Sequence, residues 1–168
     1  MRERALPFAV AAVVFALDRV TKWLIQTHLS LWEQLTVVPQ FFNIVHAENP
    51  GVAFGLFANS TGWWRNIALI GISLAVLVYI TYTLLARPGA HGAYLRLGLG
   101  FVLGGAVGNL WDRLLHGTVT DFIEVYAGSW YFPAFNIADS AISIGAGLLL
   151  LDMWRTRGSQ PSPATDRA

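Results

Sequence analysis

The chain has 168 residues, 55% of them hydrophobic and 12% charged, with a formal net charge of +1. Soluble domains carry about 25% charged residues, so this composition is that of an integral membrane protein, and the near-neutral balance excludes a strongly basic nucleic-acid binder. There is no cysteine, which removes disulfides, thiolate catalysis and Cys-ligated zinc or iron–sulfur sites; the four histidines show no HExxH or HxH spacing, so neither a metal nor another cofactor is expected.

In chain order, the first apolar stretch runs from about residue 6 to 25. Arg2 and Arg4 followed by Ala5 to Leu17 have the look of a signal peptide, but no small-residue cleavage site follows and the helical pattern continues to Ile25, which favours an uncleaved span. Asp18 and Lys22 stand four apart near its outer end and share a helix face. They read either as an ion pair fixing the helix end or as support for a site or a substrate headgroup.

The following connection contains LTVVPQFFNIVHAENPGVAFGLF, rich in Val, Phe and Ile and broken by Pro39, Pro50 and Gly51. Such a segment predicts short strands and turns, a β-rich platform over about 28–62. Phe41, Phe42, Phe54 and Phe57 suit partial immersion in lipid or contact with an acyl chain, and equally a mini-sheet that buries its own phenylalanines.

Further spans are predicted at about 66–86, 95–111 and 137–154. In the third, Gly100, Gly104 and Gly108 form a small-xxx-small ladder for close helix approach, while Gly105, Asn109 and Arg113 recur on an adjacent stripe with Asp112 beside them. Arg113 can hold a carboxylate or phosphate through parallel hydrogen bonds, or snorkel to water. In the fourth, Asn136, Asp139, Ser140, Ser143 and Gly147 share one face, which must look inward. Residues 155–168 are polar and Pro/Ser-rich and predict a disordered cytoplasmic tail.

The expected fold is therefore an α-helical integral membrane protein: a four-transmembrane-helix bundle with a small extracytoplasmic β-rich platform, one domain over residues 1–154. Arg2, Arg4, Arg87, Arg96, Arg155, Arg157 and Arg167 all fall on one side, which orients both termini to the cytoplasm. Trp23, Trp63, Trp64, Trp111 and Trp154 fall near span ends, where indole prefers the headgroup level; any one alone would equally read as a core aromatic.

Asp121, in GTVTDFIEV, follows the third span, and Asp139, in FNIADSAISIG, opens the fourth on the same side. Alone, Asp121 reads as a loop or cap residue, and Asp139 as an acid complementing a helix N-terminus. Together, two carboxylates at one membrane depth suggest a shared-proton acid/base pair, hence an aspartyl hydrolase. The rival is an ion or proton transporter subunit that uses Asp18, Lys22 and Asp139 as a relay; the crowding of polar residues at one interface and the lack of an internal repeat weigh against it.

Five blocks then bear on identity: DRVTK (18–22), NPGVAFG (49–55), GGAVGNLWDR (104–113), VTDFIEV (119–125) and FNIADSAISIG (135–145). In this order they resemble the lipoprotein signal peptidases (signal peptidase II), bacterial four-span aspartyl endopeptidases, across nearly the whole chain to about Trp154. Arg19 stands where glutamine is expected in most relatives. The resemblance implies Asp121 and Asp139 as catalytic pair, and Asn49, Gly105, Asn109, Arg113 and Asn136 around the site, with Asp18 and Lys22 in support. Asn49 and Asn136 would bond substrate backbone or the oxyanion, and Phe54 on the platform would clamp the peptide. The implied substrate is a diacylglyceryl-modified prolipoprotein cut before its lipidated cysteine, and the implied setting is the bacterial inner membrane, with lipid around a monomer and the site at the outer leaflet.

Overall fold

A computed structural model describes residues 2–51, 63–86 and 92–157. Among them four helices and four strands follow in chain order: α1 (Arg2–His28), β1 (Gln34–Val38), β2 (Phe42–Asn49), α2 (Trp63–Ala86), α3 (Ala93–His116), β3 (Val119–Ala127), β4 (Trp130–Tyr131) and α4 (Ile137–Arg157). Three of the helices, α2, α3 and α4, are long and apolar enough to cross a membrane, judged by length and composition. The fourth, α1, is as long, but its run is interrupted by Asp18, Arg19 and Lys22.

The helices extend past the apolar stretches that predict them. Hydropathy marks only what lies in hydrocarbon, whereas a helix runs on until a local signal stops it. For α3 that signal is Gly117, in the left-handed region at φ +75°, whose N–H donates to the Arg113 carbonyl at 3.1 Å. The α4 helix runs to Arg157, so the tail expected from Arg155 begins with helix; residues 158–168 lie outside the described residues, as do Phe54 and Phe57.

Glycines set the helix packing. A Cβ on Gly100 would stand 2.7 Å from the Pro7 carbonyl oxygen, one on Gly104 2.7 Å from that of Ala11, and one on Gly108 2.6 Å from an Asp18 carboxylate oxygen. The Gly100-Gly104-Gly108 ladder therefore seats α1, running parallel to α3. The neighbouring stripe seats α4 in the opposite direction, through Gly105 against the Ala138 carbonyl (2.4 Å to an added Cβ) and Gly98 against Gly145. At this end of the bundle the core is apolar, with Ala11, Ile80, Leu84, Leu99 and Leu103 buried together.

Elsewhere the usual arrangement of a soluble protein is inverted. The largest fully buried side chains include Lys22, Asn43, Asn136, Thr120, Asp18, Asp112 and Asp121, while Leu17, Val20, Val78, Leu85 and Leu150 face outward. A hydrocarbon surround accounts for both facts: it solvates aliphatic side chains and forces polar ones to find partners inside. Trp23, Trp64, Trp111 and Trp154 are all exposed, as interface anchors are and core aromatics are not.

The strands form one antiparallel sheet in the order β1-β2-β3-β4. The first connection supplies β1 and β2; β3 and β4 come from the second connection, which the composition of the platform segment did not announce. Between Ile44↔Ile123 and Ala47↔Asp121 the register shifts, because β2 advances three residues while β3 advances two. All of β1 is exposed, Phe41 is exposed and Phe42 half-buried, so neither Phe41 nor β1 is sealed in a core of the sheet.

Candidate active site

Asp121 is the third residue of β3, opposite Ala47 of β2, and Asp139 lies in the first turn of α4. What brings them together is the segment joining β4 to α4. Phe135 is hydrogen-bonded to Ile123 in both directions, its N–H to the Ile123 carbonyl at 3.0 Å and its carbonyl accepting the Ile123 N–H at 2.8 Å. The next residue, Asn136, is thereby held against β3 while it caps α4. Its Oδ1 accepts the Asp139 N–H at 2.9 Å, and its own N–H donates to Asp139 Oδ2 at 3.3 Å. This is a capping box in which an aspartate replaces the usual Glu or Gln. The same side chain also donates from Nδ2 to Asp121 Oδ1 at 2.6 Å. One asparagine thus holds both carboxyl groups.

The remaining donors are supplied by neighbouring elements. Asn49, diagonal to Asp121 in the sheet register, donates from Nδ2 to Asp121 Oδ2 at 2.8 Å, and its Oδ1 accepts the Gly51 N–H at 2.9 Å. Asn109, one turn beyond Gly105 on the stripe facing α4, donates from Nδ2 to Asp139 Oδ1 at 2.7 Å. Its Oδ1 accepts from Lys22 Nζ at 3.2 Å. The Nδ2 groups of Asn49 and Asn136 thus each donate to Asp121 and orient that carboxyl.

Lys22 belongs to a buried ion cluster. Its Nζ lies 3.0 Å from Asp18 and 2.8 Å from Asp112, and Arg19 reaches the same two carboxylates at 3.1 Å and 2.6 Å. Asp18 also accepts the Ala138 N–H at 3.2 Å, which ties α1 to the start of α4. Asp18 and Lys22 are therefore ion-paired, and each also contacts a residue that positions Asp139: Lys22 through Asn109, Asp18 through the first turn of α4. Asp112 and Arg19 complete a cluster that the i,i+4 spacing of Asp18 and Lys22 did not reveal, since it spans two helices.

Burial and the neighbouring Asp139 charge push the Asp121 carboxyl up to about 7, against the opposing pull of Asn49, Asn136 and Lys22. A cavity of about 620 Å³ opens beside the pair, lined by Asn49, Asn109, Arg113 and Asp139 on its polar side and by Phe132, Phe135, Ile142 and Ile144 on its apolar side. Asp139 faces this cavity, while Asp121 is only 2% exposed. Arg113 borders it with a guanidinium whose contact among the described residues is the Asn109 carbonyl at 3.4 Å, with Nε buried and unpaired. Phe54 lies outside the described residues.

A second polar cluster lies on the sheet residues next to Asp121. Glu48 pairs with Thr120 in register and accepts hydrogen bonds from Thr118 and Thr120, at 2.5 and 3.0 Å. Gln26 of α1 donates to Thr120 Oγ1 at 2.8 Å. The run Val119–Val125, rich in β-branched and aromatic residues, carried a strand signal, though not the identity of its partner strand.

Comparison with known proteins points to one family. The family model for signal peptidase (SPase) II matches residues 10–155. The lipoprotein signal peptidase of Solibacter usitatus is 44% identical over 150 residues, covering 89% of this chain and 91% of its own. That of Pseudomonas aeruginosa is 44% identical over 152 residues, covering 89% and 88%. A bacterial membrane enzyme solved by the in meso method superposes with a TM-score of 0.81 at 27% identity, over 96% of this chain and 95% of that one. A second such structure gives 0.77 at 28% identity, over 89% and 92%. The chain belongs to the signal peptidase II family, and is a bacterial membrane protein.

Proposed function

We propose that this member of the signal peptidase II family is an aspartyl endopeptidase that removes the signal peptide from diacylglyceryl-modified prolipoproteins, cutting before the lipidated cysteine. The observation that carries the reading is that Asn136 holds both Asp121 and Asp139, beside a cavity with one polar and one apolar wall. The relatives' name, lipoprotein signal peptidase, supports the substrate class.

The pair works with a single shared proton, and its titration belongs to the pair as a whole. Asp121, which keeps its proton up to about 7, is the acid. Asp139, at the cavity wall, is the base: it takes a proton from a water molecule whose oxygen attacks the scissile carbonyl, while Asp121 protonates the carbonyl oxygen. Collapse of the tetrahedral intermediate breaks the C–N bond: the proton now on Asp139 passes to the departing amine, and Asp121 takes back a proton from a hydroxyl of the gem-diol as the new carboxyl group forms. Asn49, Asn109 and Asn136 fix the two carboxyls in place. Arg113 holds a substrate carbonyl or lipid headgroup at the cavity edge, Phe54 closes over the peptide, and Gly105 keeps α4 close enough for Asn109 to reach Asp139.

In the inner membrane α1 is the fourth span, both termini are cytoplasmic, and the sheet lies at the outer leaflet, where exposed Trp32, Leu35, Val37 and Phe41 contact lipid. The protein acts as a monomer. The test is cleavage of a purified lipidated precursor by protein in lipid or detergent. Asp121→Asn and Asp139→Asn each lower turnover by about 10³-fold or more while melting temperature holds. Turnover within tenfold of the parent in either variant removes the assignment.

A further inference from the structure

The buried cluster of α1 and α3 contains two carboxylates and two cations. Asp18, Lys22 and Asp112 are at most 1% exposed at their side chains, and Arg19 is 21% exposed. Lys22 alone already lies within ion-pair distance of both carboxylates, at 3.0 and 2.8 Å. It also makes the link onward to Asn109 and so to Asp139. With Lys22 as the sole cation, the cluster would carry a net negative charge next to two further aspartates. Arg19 touches neither Asn109 nor the aspartate pair by any hydrogen bond or ion pair; among the described residues its polar contacts are Asp18 and Asp112.

We propose that Arg19 is a positioning residue for the Asp121/Asp139 pair, acting by charge balance: it shares both carboxylates with Lys22, keeps the cluster neutral, and leaves Lys22 turned toward Asn109. Charges screened by little water act over longer distances than surface charges do. The charged groups that act on Asp121 are Asp139 from α4, Lys22 from α1 and Arg113 from α3; Asp112 of α3 acts on Arg113, and Glu48 of β2 is bound to Thr120, the neighbour of Asp121 in β3. A cluster left with one excess negative charge adds to the repulsion that already opposes ionisation of the pair, whereas a neutral one does not.

The inference builds on the peptidase reading only for its consequence in catalysis, so its test uses a readout independent of cleavage. Infrared titration of the full-length protein in lipid follows the protonated carboxyl band that Asp121→Asn removes. In Arg19→Gln its midpoint rises by roughly half a pH unit or more, as expected for one charge at an effective dielectric of about 20. Arg19→Lys keeps the parent midpoint. The double variant Arg19→Gln/Asp112→Asn, which restores neutrality by removing one charge of each sign, returns the midpoint to that of the parent. In the parent enzyme the alkaline limb of the rate profile moves with the same midpoint. If Arg19→Gln does not fold, Asp112→Asn carries the test with reversed sign, and its midpoint falls. An unmoved midpoint in Arg19→Gln, or in Asp112→Asn where that variant stands in, reduces Arg19 to a structural contact and leaves the peptidase proposal intact. Absent cleavage by the parent would instead remove the peptidase proposal and leave the charge-balance result standing.

Discussion

The two ends of the helix bundle solve the same packing problem with opposite chemistry. At one end Ala11, Leu84, Leu99 and Leu103 meet over Gly100 and Gly104, and the helices close by backbone approach. At the other, α1 and α3 enclose Asp18, Lys22 and Asp112, with Asn109 and Asn136 linking them to the sheet. The apolar end tolerates many side chains of the right volume. The polar end has no such freedom, because each buried charge depends on a named partner. Stability can come from either end; only the second also fixes two carboxyl groups in space.

Deleting one charge tests the contrast most severely. Lys22→Met leaves Asp18 and Asp112 with Arg19 as their one remaining cation among the described residues, gives the buried cluster a net negative charge, and is expected to cost about 3–5 kcal/mol, read as a fall in melting temperature together with loss of cleavage. At the apolar end, Gly104→Ala pushes a methyl against the Ala11 backbone, 2.7 Å away, and should cost about 1–3 kcal/mol. Its turnover per folded molecule should stay within about twofold of the parent, since no catalytic contact changes. Equal losses of turnover in the two variants would erase the division between the ends.

Asn136→Ala belongs to both categories. Loss of the cap costs about 1 kcal/mol of stability. Loss of the donor to Asp121 should lower kcat by about 10²-fold with KM little changed.

The pH dependence sharpens the same point. Asp121 titrates near 7 in the folded protein and near 3.8 when free. Between those values the folded state binds the extra proton, so stability conferred by this group falls as pH rises from about 4 to about 7 and is level above. The rate, which needs that proton, declines through about 7. A melting curve rising over this interval, or a rate undiminished at pH 8.5 with chemistry limiting, would contradict the assignment. The smallest effect is expected at Gly117→Ala, about 1 kcal/mol for a methyl in the left-handed region, with turnover unaffected.

Much of this was legible in the chain itself. Four apolar stretches, the ladder of Gly100, Gly104 and Gly108, and the polar faces of Asn109 and Asp139 follow from periodicity, because a helix maps sequence spacing directly onto its surface. The pairing of β2 with β3 was not legible. These strands are separated by α2 and α3, and the register of Ala47 with Asp121 depends on a one-residue bulge that no local pattern encodes. Nor could spacing show that Asn136 would grip both carboxyls, although N-x-x-D at 136–139 was readable as a cap.

The sequence alone determined which residues must be buried together, since in hydrocarbon a polar side chain has no partners except other residues of the same protein. It also determined which helix faces they occupy. Only the tertiary structure decided which of those residues meet. Contacts such as Lys22 with Asp112 or Asn49 with Asp121 join segments distant in the chain, and their geometry arises from helix approach and strand register rather than from any short-range preference.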